Sequence, residues 1–202
     1  VAVFLILLIL VTQFNAFSSP IIILTSVVLS LAGVFLGIVI SRNDFVIIMT
    51  MIGIISLAGI VVNNAIVLVD YTNLIRKRKR KELDLDVEIL LPNEEVKEAV
   101  IEGGKTRLRP VLLTAITTIL GLFPLASGLN IDFFSLVREW DPKIFFGGDN
   151  VIFFKPMSLA IIYGLTFATF LTLVVVPTMY YIIYRFKIWL FQKMNWNIKI
   201  EL

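Results

Sequence analysis

GIVVNNAIVLVDYTN, residues Gly59–Asn73, decides how this chain is read. Ile, Val and Leu dominate the stretch, as in a membrane helix. Yet Asn63 and Asn64 stand at its middle, and Asp70 lies one turn before its polar end. Lipid offers an amide no hydrogen-bond partner, so a polar face at this depth has to point into a helix bundle or a water-filled cavity. At about 100° per residue, Ser56, Gly59, Asn63 and Asp70 fall within about 60° of one another, and Asn64 lies about 100° from Asn63. One face of the helix is therefore small and polar, and the remainder is aliphatic.

The surrounding chain is of the same kind. It has 202 residues, 58% of them hydrophobic, and a mean hydropathy of +0.95. The apolar excess is gathered in long blocks, which makes the class an all-α, polytopic membrane protein. There is no cysteine and no histidine. Disulfides, thiol catalysis, Cys-type metal sites, the usual proton shuttle and Ser-His triads are excluded with them, and no catalytic or metal-binding constellation is present. The residues thus carry no enzyme signature. The first stretch, VAVFLILLIL, lacks a basic region and a cleavage site, so it does not read as a signal peptide and is expected to be cut from a longer protein.

Five transmembrane helices are predicted, at about 1–17, 20–40, 45–74, 107–128 and 156–184. About 20 residues cross the hydrocarbon core, so the third and fifth spans are long enough to tilt or project. Residues 75–106 form a basic loop with a short interfacial helix, 129–155 an outer loop, and 185–202 a tail. Of the 18 Lys and Arg residues, 14 fall in the 75–109 stretch or the tail. That side is expected to be cytoplasmic, which places the C-terminus inside. The run RKRKRK, Arg76–Lys81, reads as a stop-transfer anchor beside anionic lipid rather than a nucleic-acid patch. Beyond it, Asn93 is expected to cap the short helix and Gly103-Gly104 to end it, with Val96, Ala99 and Val100 forming a stripe against the membrane surface. The outer loop is rich in Phe and Trp, and its Asp-Pro and Gly-Gly pairs signal turns.

Two more spans carry patterns. On the fourth, Arg107, Thr114, Thr118 and Gly121 share a face, with Thr117 beside them. Seven residues separate Asp70 from Asn63 and Thr114 from Arg107, about 10 Å of helix in each case. If the third and fourth spans pack, this spacing sets Asp70 opposite Arg107 at the mouth and Asn63 level with Thr114. The competing reading of these residues is interhelical glue, worth about 0.6–2 kcal/mol per contact. On the second span, Ser26, Ser30, Gly33 and Gly37 form a seam for close packing. None of the 15 acidic residues sits at a span centre. The chain thus offers partners to a titrating group in the membrane but not the group itself.

At these residues the chain resembles the C-terminal membrane half of resistance–nodulation–division (RND) efflux transporters of the hydrophobe/amphiphile type. Three ordered motifs carry the likeness: GIVVNNAIVLVDYTN, then EGGKTRLRPVLLTAITTILGLFPLA, then GLTFATFLTLVVVPTMYYIIYR. The resemblance implies transmembrane helices eight to twelve of twelve, with the N-terminal half and a large periplasmic insertion supplied by the rest of the polypeptide. It implies a homotrimer in the bacterial inner membrane, working with a periplasmic adaptor and an outer-membrane channel and driven by the proton gradient without a cofactor. Asn63, Asn64, Arg107 and Thr114 take positions associated with the proton relay, with Asp70, Thr117 and Thr118 in support. The family often has lysine at the position of Asn63. An amide there hydrogen-bonds a carboxylate but does not neutralise it. Within the superfamily, protein export or lipid transport is the alternative task, and a non-transporting scaffold or an inert truncation is the alternative of another class.

Overall fold

The computed structural model describes residues 2–14, 18–84, 91–131 and 144–193. Five helices account for nearly all of them: α1 (Ala2–Phe14), α2 (Ser18–Ser41), α3 (Ile47–Glu82), α4 (Asn93–Ser127) and α5 (Asp149–Lys193). Two three-residue strands, β1 (Leu129–Ile131) and β2 (Ile144–Phe146), pair antiparallel between α4 and α5. Apart from this ribbon the fold is the expected all-α membrane bundle. Four of the helices, α2 to α5, are long and apolar enough to cross a bilayer. The described part of α1 has 13 residues, about 20 Å of helix, which is shorter than the ~30 Å hydrocarbon core.

Helix boundaries depart from the sequence expectation mainly by extension: α2 to α5 each run past the expected span at one end or both. α3 continues through the basic run to Glu82, so residues 75–82 are helix rather than loop. α5 starts at Asp149 and ends at Lys193, taking in parts of the outer loop and the tail. The largest difference is α4. Gly103 and Gly104 do not end the surface helix, and a single helix of 35 residues joins it to the fourth span. Glycine in a helix costs only about 1 kcal/mol relative to alanine, and here tertiary contact outweighs it. Gly103 lies against Thr72 of α3 so closely that a Cβ would meet the threonine hydroxyl at 2.8 Å. The cap also differs. Asn93 is the first helical residue, and Pro92 precedes it with no side-chain cap.

Lipid tails are as apolar as leucine, so burial alone does not drive lipid-embedded helices together; close packing does. α5 packs against α2, α3 and α4 and so forms the centre. The α2 seam serves this contact. Ser26, Ser30 and Gly33 are buried, and Gly33 and Gly37 lie directly under Phe167 and Tyr163 of α5. Buried hydroxyls close on their own helix: Ser26 donates to Ile23 O at 2.6 Å and Ser30 to Val27 O at 2.7 Å. These two hydroxyls are thus satisfied without a partner on another helix.

At its far end α4 stops at Gly128, whose φ of 77° is left-handed and whose N–H bonds back to Pro124 O. A Cβ here would also stand 3.0 Å from Val151. Gly128→Ala is therefore expected to destabilise the chain by about 1 kcal/mol. A denaturant titration followed by circular dichroism checks this, and an unchanged midpoint would mean that the turn relaxes freely.

Candidate functional site

The polar residues of α3 and α4 do not all meet. Asn64 is buried, at 7% exposure, whereas Ser56, Gly59, Asn63 and Asp70 are exposed. The polar stripe found on the helical wheel thus faces out of this five-helix bundle. α4 behaves the same way. Only 17% of its apolar window is buried, against 50% for α3, and Thr114, Thr117 and Gly121 are exposed. Gly59 and Gly121 have no atom within 4 Å of where a Cβ would stand.

The asparagine that reaches Thr114 is Asn64 rather than Asn63. The Thr114 hydroxyl lies 3.5 Å from Asn64 Oδ1 and 2.9 Å from Val111 O of its own helix. It has one proton, and the nearer carbonyl is the better acceptor, so the approach to Asn64 is a contact at the edge of hydrogen bonding. Thr117 and Thr118 also donate within α4, to Leu113 O at 2.8 Å and Thr114 O at 2.7 Å.

Arg107 and Asp70 form no ion pair. The Arg107 guanidinium instead lies over the Tyr71 ring, 4.3 Å from its centroid, and its Nε is buried without a hydrogen-bond partner. The expected level along the helices is kept, one residue away, but the facing side chain is an aromatic. Asp70 is turned about 100° from Tyr71 around α3. It lines a cavity of about 500 Å³ together with Asn73, Arg76 and residues of α1, α2 and α5.

That cavity holds contacts that sequence patterning did not suggest. Arg76 donates to the Tyr180 hydroxyl at 2.6 Å and stacks over the Tyr184 ring at 4.7 Å, while Tyr180 donates to Asn73 Oδ1. Tyr184 reaches Leu91 O at 2.9 Å. Nearby, Lys79 contacts Glu95 and Glu98, each at 2.6 Å, which straps the basic end of α3 to the acidic start of α4. Beyond the apolar spans, these hydrogen bonds to Glu95 and then Glu98 raise the Lys79 ammonium above its ordinary pKa. The Val96, Ala99 and Val100 stripe is buried in the protein rather than laid on a membrane surface. Among the described residues no group of three His, Cys, Asp or Glu side chains gathers to hold a metal. The outer-loop Trp140 and Asp141-Pro142 lie outside the described residues, while Gly147 and Gly148 adopt φ of 99° and 120° at the bend before α5.

A polytopic bundle with a polar stripe on two of its spans defines a multi-pass membrane protein by class. The comparisons with known proteins are specific. The family model described as AcrB/AcrD/AcrF matches residues 1–130. The swarming motility protein SwrC of Bacillus subtilis (strain 168) is 36% identical over 92% of this chain and 15% of its own length. The nickel-cobalt-cadmium resistance protein NccA of Alcaligenes xylosoxydans xylosoxydans is 34% identical over 77% of this chain and 11% of its own. A crystal structure of a heavy metal efflux pump superposes with a TM-score of 0.65 at 26% identity, over 90% of this chain and 14% of that one. The chain belongs to the AcrB/AcrD/AcrF family of RND transporters. It spans about a seventh of the length of the relative first named.

Proposed function

We propose that the chain is the C-terminal membrane portion, helices eight to twelve, of a proton-motive-force-driven RND efflux transporter. It supplies hydrogen-bonding partners to a proton-relay site whose carboxylates lie in the N-terminal half of the same polypeptide. The observation that carries this reading is the exposed stripe Ser56, Gly59 and Asn63 on a membrane helix. The exposed Asn63 amide at mid-membrane needs a polar cover, and none of the described helices provides it. Substrate and proton move in opposite directions, and substrate is chosen by the periplasmic insertion. The assembly is a homotrimer in the bacterial inner membrane, C-terminus inside, with an adaptor and an outer-membrane channel. On its own the chain is inactive.

The test uses the full-length parent in proteoliposomes with an imposed pH gradient. Substrate movement is expected to follow the gradient and to cease on addition of a protonophore, and liposomes holding only this chain are expected to show no proton flux. Transport that persists in the protonophore, or flux through the isolated chain, contradicts the proposal.

A further inference from the structure

The cavity beside Asp70 takes in none of Asn63, Asn64, Arg107 and Thr114. It opens at the basic end of the bundle, between the C-terminal ends of α1, α3 and α5 and the N-terminus of α2. Four cations line it, Arg76, Lys77, Arg80 and Lys187, against one carboxylate, Asp70. The α2 N-terminus adds the positive dipole end of a 24-residue helix at Ser18 and Ser19. Arg76 is fixed by Tyr180 and Tyr184, and its Nε is buried without a hydrogen-bond partner. Phe14, Ile22 and Ile183 complete the wall. The cavity is thus cationic on one side and apolar on the other.

We propose that this cavity binds the phosphodiester headgroup of an anionic phospholipid from the leaflet at the basic end of the bundle. The chemistry it recognises is phosphate, which free inorganic phosphate shares. The lipid is favoured by the apolar wall and by the volume of about 500 Å³, which exceeds what a single phosphate fills. Basic pockets between membrane helices at the positively charged side recognise headgroups in this way. The site is independent of the transport reading, because it needs only this chain's own residues.

The experiment offers phosphatidylglycerol or phosphatidylcholine to the purified chain in neutral detergent and counts retained lipid by native mass spectrometry. Preferential retention of phosphatidylglycerol is expected. Removing one lysine or arginine should weaken it about fivefold. Arg76→Gln tests the fixed cation, and the pair Lys77→Gln and Lys187→Gln tests two exposed ones without disturbing the core. The pair Lys105→Gln and Arg109→Gln, on α4 outside the cavity, should retain the lipid as before, and millimolar inorganic phosphate should not displace it. Equal retention of both lipids, equal loss in the two double variants, or displacement by phosphate overturns the proposal. Circular dichroism checks that each variant is folded.

Discussion

Gly164→Leu is expected to lose about 3 kcal/mol or more of stability, the upper range for forcing extra methylenes into a packed core. Gly164 sits where three helices meet. A Cβ built on it would run into Leu57 of α3 and Val34 of α2, and both of those side chains are 0% exposed. Neither has room to withdraw, so α5 must move away from two neighbours together. Thermal unfolding in detergent, monitored by size exclusion, reads the effect as a lower midpoint and a smaller folded fraction. Gly121→Leu is the matched control. It adds the same side chain on an open face and should lose no stability, gaining up to about 1 kcal/mol from helix propensity. Similar behaviour of the two variants would show that the three-helix junction is more compliant than its geometry.

Asn63→Leu should act in the opposite setting. The side chain is exposed in this bundle, so stability of the isolated chain is expected to be unchanged. Under the proposed function it would, in the full-length parent, remove an amide facing the relay carboxylates. A hydrogen bond to a charged group contributes about 1.5–3 kcal/mol, so transport should fall roughly ten- to hundredfold. Gradient-driven efflux in proteoliposomes, alongside trimer yield, is the measurement. Normal efflux by the variant would return Asn63 to ordinary helix contact. Asn64→Leu should separate from it, because Asn64 is buried beside Thr114 and its loss disturbs packing within this chain.

Much of this was readable from residue order. The four long apolar blocks, the basic end, the α2 seam and the polar stripe are properties of one helix at a time, and helical periodicity reports them directly. Which neighbour each residue meets is not such a property. Asp70 and Tyr71 differ by one position and about 100°, and that rotation decides which of them meets Arg107. The Gly103-Gly104 pair read as a stop because local propensity was the only information to hand, whereas the approach of Thr72 comes from another helix. The Arg76–Tyr180–Asn73 group joins residues more than 100 positions apart, and no local pattern marks it.

The unbroken course of α4 has a mechanical corollary. With no loop between Glu95 and Thr114, the strap to Lys79 and the threonine face keep a fixed angular phase. One residue inserted near position 104 would swing one end through about 100° relative to the other, where a loop would have absorbed the slack. A heptad inserted there would leave the two ends nearly aligned, about 20° apart. Length in this stretch is therefore constrained in steps, as it is along a camshaft.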